Sequence, residues 1–343
     1  MSRIDPMESA STVVLGNAGG ILTVDFGPFL DAPTGLEGRE VARELVESFE
    51  RYGFVYLKNY GMPQETVDGT FEWSKRFFAQ PTEVKRLAPH PGIPQINRGW
   101  TAPGVEAFSR KDESTGETLG RKPDAMENFS CGGRDDSMLG KNIWLPERVL
   151  PGFNEACQEF YWKCYATEIA VLRAIAVGLE LEGDRLSKHH SGRDQTLRLL
   201  HYPPVPALQV IEGQVSRIGA HSDFGTITLL FQDDIGGLQV EEPGRPGKFI
   251  YVPPVPGAMI VNAGDFLQQL TNDRIRSAVH RVQAPPGMKD GLTPDRYSIA
   301  YFCSTDFDIA VECLPGTSEH GKKREPITAG EYIMKKLEAV FAT

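Results

Sequence analysis

Thr196-Leu-Arg-Leu-Leu-His-Tyr202 opens a series of short, strand-like runs that decides the fold. The series continues through Ile218 to Phe231, Gly237-Leu-Gln-Val240, Phe249-Ile-Tyr-Val252, Ala258-Met-Ile-Val-Asn262, Val279 to Gln283 and Arg296 to Cys303. Turn formers separate the runs: Pro203-Pro204, Gly236-Gly237, Pro253-Pro254 and Pro285-Pro286-Gly287. Proline removes a ladder donor and glycine admits left-handed backbone, so each cluster ends one strand and reverses the chain. Short β runs punctuated in this way predict an antiparallel sandwich or jelly roll.

N-terminal to this region the period changes. Ile21 to Phe26 reads as a strand, and Val41, Leu45, Val46 and Phe49 give Glu40 to Tyr52 an amphipathic helical stripe that Gly53 breaks. Phe54-Val-Tyr-Leu57 alternates as a strand, and Pro63 opens a helix carrying Phe71, Trp73, Phe77 and Phe78. Gly104 to Gly140 is polar and glycine-rich without periodicity, which predicts a lid-like excursion. Phe153 to Glu182 reads as one long helix in which Cys157 and Cys164 serve packing. Glu331 to Phe341 reads as a short amphipathic helix. The expected organisation is a flexible tail over 1–20, a wrap of helices and strands over 21–194 with the lid near 104–140, a β core over 195–307, and a C-terminal segment and helix over 308–343. The fold class is an all-β core, sandwich or jelly roll, flanked by N-terminal and C-terminal helices as one integrated unit.

Composition bounds the function. At 343 residues, division by a typical domain length suggests two domains, a prior that the single run of strands overrides. Lys and Arg number 36 against 46 Asp and Glu, a net charge of −10, which argues against a nucleic-acid platform or a polybasic membrane anchor. No long apolar run predicts a membrane span, and the first twenty residues lack a secretory-type apolar core. The five cysteines are odd in number and form no Cys-x-x-Cys pair. A cytoplasmic, reducing location is expected, with a small-molecule partner and with no basis for an oligomeric state.

The chemistry concentrates in Ala220-His-Ser-Asp-Phe-Gly225, where His221 and Asp223 stand two apart in a strand-like context and so share a face. An isolated His-x-Asp more often means a plain hydrogen-bonded pair. Downstream, however, His280 lies in a second β-like run, and Arg296-Tyr-Ser298 again places two polar side chains on one strand face. Two histidines and a carboxylate make the facial triad that leaves open positions on a non-haem Fe(II). An arginine fork with a neighbouring hydroxyl suits a carboxylate.

With these residues in view, the sequence resembles the 2-oxoglutarate/Fe(II)-dependent dioxygenases, in the isopenicillin-N-synthase-like branch. The resemblance runs from about Ile21 to Phe307 and includes Gly53-Phe-Val-Tyr-Leu-Lys-Asn-Tyr-Gly61, Leu197 to Pro204, His221 to Leu230, Gly236 to Val240, Val261-Asn-Ala-Gly-Asp265, His280-Arg-Val282 and Arg296 to Phe302. Within the branch it is similar to fungal members of the thymine 7-hydroxylase type and to oxygenases of secondary metabolism. The resemblance implies that His221, Asp223 and His280 bind iron, that Arg296 and Ser298 hold the distal carboxylate of 2-oxoglutarate, and that the Tyr202 hydroxyl helps. It also implies that the core over 195–307 is a double-stranded β-helix (jelly roll), with O2 as oxidant, release of succinate and CO2, and hydroxylation as the default outcome. Asn97-Arg-Gly-Trp100 matches a segment that approaches substrate in the thymine-hydroxylase-like members.

Strand alternation extends the pocket. With Tyr202 inward, Leu200 and Arg198 also point inward and His201 points away. A buried Arg198 needs an anionic or carbonyl partner, either substrate or a structural Asp or Glu. Arg296, Ser298, Ala300 and Phe302 share a face, so Phe302 is either a wall for a planar substrate or plain core. Phe224 follows the carboxylate ligand and is positioned to touch substrate, Asn97 is either a substrate donor or a turn cap, and Trp100 adds an aromatic surface. Of the remaining histidines, His90, His189 and His190 read as solvated, and His320 falls in a charged C-terminal turn. Two alternatives stay open at this point: a same-fold Fe(II) oxidase that does not use 2-oxoglutarate, and a non-catalytic jelly-roll binding protein.

Overall fold

A computed structural model describes residues 13–107, 122, 124–310, 312–314 and 327–341. Its core is a jelly roll made of two facing sheets. The strands are β1 (Val14–Ala18), β2 (Ile21–Asp25), β3 (Phe54–Lys58), β4 (Gly99–Thr101), β5 (Glu127–Cys131), β6 (Thr196–Tyr202), β7 (Ile218–His221), β8 (Ile227–Gln232), β9 (Leu238–Glu241), β10 (Phe249–Tyr251), β11 (Met259–Ala263), β12 (His280–Val282) and β13 (Arg296–Cys303). The large sheet runs β1-β2-β3-β11-β8-β13-β6-β5-β4, and the small sheet runs β10-β9-β12-β7. Pairing is antiparallel except between β2 and β3. The helices are α1 (Gly27–Asp31), α2 (Leu36–Tyr52), α3 (Gln64–Phe78), α4 (Thr82–Lys85), α5 (Phe153–Gly178), α6 (Ala207–Ile211), α7 (Asp265–Leu270) and α8 (Ala329–Phe341).

The period-2 pattern of the strands divides the large sheet into two faces. Leu197, Leu199, Ile227, Leu229, Val261, Ile299 and Tyr301 face the helices, where they join Val41, Leu45 and Phe49 of α2 and Phe160, Leu172 and Ile175 of α5. Leu200, Tyr202, Ile260 and Ala300 face the small sheet, where they meet Ile218, Leu238, Val240 and Val282. One face of the sheet is thus a dry helix-backed core, and the other is the interior of the roll. Gly53 ends α2 in a left-handed C-cap (φ 70°), and an added Cβ there would stand 2.5 Å from the Arg276 carbonyl oxygen. Glycine therefore lets helix and strand turn against each other without a gap.

Three features depart from the expected organisation. Residues 13–20 hold β1, paired with β2, where a loose tail was expected; residues 1–12 lie outside the described ones. Within the supposed lid, β5 is a buried strand between β6 and β4, while residues 108–121 and 123 lie outside the described ones. The reason is chemical. β5 reads Glu-Asn-Phe-Ser-Cys, and Glu127 is buried because Lys85 (2.7 Å), Trp100 (2.7 Å) and His201 (2.9 Å) satisfy its oxygens. Burial works against its charge, yet these three donors hold its carboxyl below the usual range. Finally, α5 stops at Gly178 rather than continuing to Glu182.

Candidate metal centre and adjoining pocket

β7 ends at His221, which is the pairing partner of His280 on β12. Their ring centres stand 4.4 Å apart. Asp223 lies in the turn beyond β7, so it reaches His221 through the loop and not by strand alternation as the spacing suggested. That loop packs backbone against backbone. A Cβ on Gly225 would fall 2.2 Å from the Cys303 carbonyl oxygen, and one on Gly264 would fall 2.2 Å from that of Gly225. Glycine at both positions fixes where Asp223 stands.

The three side chains are pre-oriented. His221 Nδ1 is bonded to the Gly219 carbonyl at 2.8 Å and His280 Nδ1 to the Ala278 carbonyl at 3.1 Å, which assigns the ring protons to Nδ1. Both Nε2 atoms face Asp223 Oδ1, at 3.7 and 3.6 Å. The other oxygen, Oδ2, accepts from Thr228 Oγ1 and Asn262 Nδ2, each at 2.6 Å. Burial and the nearby His280 push His221 down to about 4, so its ring is neutral near pH 7. For Asp223, burial opposes ionisation, but His280, His221, Thr228 and Asn262 outweigh it and hold the carboxyl below its usual value. The neutral His221 ring, the His280 ring with its Nε2 facing the same point, and a carboxylate are therefore offered together. Two donors binding one ion at ~2.1 Å stand at most ~4.2 Å apart, and both His–Asp separations satisfy this. Among the described residues this is the one His/Cys/Asp/Glu group with such geometry.

Deeper in the roll, Arg296 is buried and its hydrogen bonds run to neutral groups: Gly236 O (2.8 Å), Gln232 Oε1 (3.2 Å) and Ser298 Oγ (3.3 Å). Its guanidinium carbon lies 4.7 Å from the Tyr202 ring centre. The structure thus brings Arg296, Ser298 and Tyr202 together, as expected. It adds Arg217, which the sequence reading did not single out. Arg217 is fully buried, donates to the Tyr202 and Pro294 carbonyls, and lies 5.3 Å from the Tyr202 ring centre. Burial and then Arg296 lower its pKa to about 10.

Outward from the triad a cavity of about 80 Å³ is lined by Asn97, Thr196, Arg198, Phe224, Phe302 and Ser304 and closed by Leu139, Ile333, Leu337 and Val340. It holds on the order of six waters, which suits one or two small rings. Asn97, Arg198, Phe224 and Phe302 thus converge as anticipated. Trp100 does not, because its indole N–H donates to Glu127 in the helix-side core. Of the two partners open to Arg198, a structural one is present: Glu106 Oε2 at 3.0 Å. The Asn97 oxygen accepts from Arg198 at 2.6 Å and not from a turn.

His190 is a correction, since it is buried against Glu168 (2.6 Å) and Thr226 (3.2 Å) rather than solvated. His90 and His189 are half-buried, and burial lowers the pKa of each. The α8 contribution was also missed. Its amphipathic stripe was legible, but its destination on the pocket depends on tertiary contacts: Tyr332 Oη and Lys336 Nζ bond Asp265 at 2.6 and 3.1 Å, and Gln95 bonds Glu338 at 2.6 Å.

Comparison with known proteins is consistent with this geometry. Residues 193–305 match the model of the 2OG-Fe(II) oxygenase superfamily, and residues 21–147 match that of the non-haem dioxygenase in morphine synthesis N-terminal region. The chain is 40% identical over 318 residues to the 2-oxoglutarate-dependent dioxygenase gloF of Glarea lozoyensis, covering 89% of this chain and 94% of that one. It is 39% identical over 318 residues to the proline hydroxylase buaE of Petromyces alliaceus, covering 92% and 97%. Full-length Neurospora crassa thymine 7-hydroxylase in complex with alpha-KG and thymine superposes with a TM-score of 0.83 at 37% identity, over 94% of this chain and 99% of that one.

Proposed function

The chain belongs to the 2OG-Fe(II) oxygenase superfamily, and on that premise we propose roles for its residues and a substrate class. It is a non-haem Fe(II)- and 2-oxoglutarate-dependent dioxygenase, which sets aside the oxidase and the non-catalytic alternatives. Among the described residues, no helix is long and apolar enough to cross a membrane.

Iron is assigned to His221, Asp223 and His280, and the distal carboxylate of 2-oxoglutarate to Arg296 and Ser298, with Tyr202 alongside. One observation carries this reading: a pre-oriented two-histidine, one-carboxylate donor set at the foot of a small pocket, with a buried arginine whose hydrogen bonds go to neutral groups. When bound, iron with 2-oxoglutarate and O2 supplies the oxidising chemistry that removes hydrogen from a substrate carbon and leaves succinate and CO2. The chain's own part is orientation and exclusion of water. The Nδ1–H bonds to Gly219 and Ala278 keep both imidazole lone pairs on the metal side, and Thr228 with Asn262 keep Asp223 Oδ1 turned inward. Phe224 and Phe302 offer flat apolar contact, the Asn97 amide offers a donor to a substrate carbonyl, and Leu139, Ile333, Leu337 and Val340 keep that end dry.

The substrate class is a small ring or compact natural product bearing a carbonyl. Support comes from the cavity size and from the small rings named for two relatives, thymine and proline. The test is succinate release across pyrimidines, lactams, proline and its amides, and alkaloid-like compounds. At least one class should raise release tenfold over the unstimulated rate, and Phe302→Ala or Asn97→Ala should remove the stimulation. Stimulation indifferent to both substitutions would overturn the pocket assignment.

A further inference from the structure

The polar end of the pocket holds an arginine whose charge is already matched. Arg198 is 5% exposed and Glu106 2%. Arg198 Nη1 donates to Glu106 Oε2 at 3.0 Å, Nε to Ser130 Oγ at 3.1 Å, and Nη2 to Asn97 Oδ1 at 2.6 Å. Glu106 Oε1 accepts from Asn128 Nδ2 at 3.0 Å, which fixes the carboxylate behind the arginine and away from the cavity lining. A second cation near the pocket is matched in the same way. Lys336 Nζ lies 5.3 Å from the Phe224 ring centre and 3.1 Å from Asp265.

Alone in a desolvated wall, an arginine is a carboxylate receptor. With a buried carboxylate at 3.0 Å the pair presents a dipole, and an approaching anion meets the field of Glu106 in a medium of low dielectric. We infer that Glu106 sets the charge selectivity of the substrate pocket: it converts Arg198 from an anion receptor into a neutral hydrogen-bond donor. The site then accepts an amide, imide or lactam carbonyl at that end and rejects a free carboxylate. This selection works through repulsion as much as through attraction. Glu106 touches no ligand, so it is a specificity-determining residue acting through Arg198. The inference rests on the reading of this cavity as the substrate site.

The test uses benzamide and benzoate, one planar ring with a neutral or an anionic head, titrated calorimetrically into protein loaded with Fe(II) and saturating 2-oxoglutarate under nitrogen. Wild type should bind benzamide at least tenfold more tightly than benzoate. Glu106→Gln, which keeps the side-chain shape, should tighten benzoate tenfold or more and change benzamide less than threefold. The double variant Glu106→Gln/Arg198→Gln should restore the preference for benzamide. Should Glu106→Gln fail to fold, Arg198→Gln alone carries the test, because the lost donor weakens benzamide somewhat whereas an unmatched Glu106 must weaken benzoate more, so the preference for benzamide widens. Equal binding of the two probes by wild type, or an unchanged ratio in the folded variants, overturns the inference. If Phe302→Ala weakens both probes while that ratio stays fixed, the inference alone falls; if Phe302→Ala affects neither, the pocket reading falls with it.

Discussion

The two ends of the active cavity are built differently. At the inner end, His221, Asp223, His280, Arg296, Ser298 and Tyr202 all lie on strands of the roll or in a turn between them, locked by backbone pairing and short hydrogen bonds. At the outer end, Asn97, Leu139 and the α8 residues Ile333, Leu337 and Val340 come from separate stretches outside the roll. They meet through side-chain packing and isolated backbone bonds, such as Asn97 N–H to the Leu139 carbonyl at 3.2 Å, rather than through a strand ladder. A fixed inner end with an assembled outer end allows one reaction to serve different substrates, because the outer pieces can change without disturbing the metal ligands.

This contrast orders the expected effects. Replacing His221 or Asp223 by Ala should lower succinate formation by about 10³-fold or more, since the loss of a ligand removes several kcal/mol of metal-dependent stabilisation. Chelation should do the same to wild type, and added Fe(II) should restore activity in wild type alone. Arg296→Leu comes next. Loss of about 3 kcal/mol of charge-assisted hydrogen bonding should raise the KM for 2-oxoglutarate about 100-fold while Fe(II) affinity stays within a few fold. A KM that did not move would show that the cosubstrate lies elsewhere. Asn262→Ala or Thr228→Val, by freeing Asp223 Oδ2, should weaken Fe(II) binding about 10- to 100-fold, measured by anaerobic titration. The smallest effect belongs to the outer end. Leu337→Ala should cost about 1–2 kcal/mol of substrate binding, near tenfold in substrate KM, with 2-oxoglutarate KM unchanged. If instead both KM values moved together, the two ends would not be separable.

The same contrast explains what could be read from the chain. The inner end was legible because alternation along β6 and β13 fixes which side chains face inward: Arg198, Leu200 and Tyr202 pair with Ala300, Ser298 and Arg296, as the sequence pattern requires. Asp223 was found for the wrong geometric reason, since a glycine-backed turn and not a strand delivers it. β5 was hidden because its polar residues satisfy one another. Glu127 is held by Lys85, Trp100 and His201, while Asn128 and Ser130 serve Glu106 and Arg198, so hydropathy along the chain reads loop where the fold has a buried strand. The α8 stripe announced a buried face, but a 3.6-residue period says nothing about which surface receives it. Glu106 had no local signal at all, because its meaning comes from a partner 92 positions away.

The most direct test of the account is an anaerobic Fe(II) titration of the metal-free protein with and without 2-oxoglutarate. One Fe(II) should bind per chain, and 2-oxoglutarate should tighten it in wild type but not in Arg296→Leu, with Asp223→Ala binding no stoichiometric iron. Retention of one tightly bound Fe(II) by Asp223→Ala, or equal tightening by 2-oxoglutarate in Arg296→Leu, would contradict it.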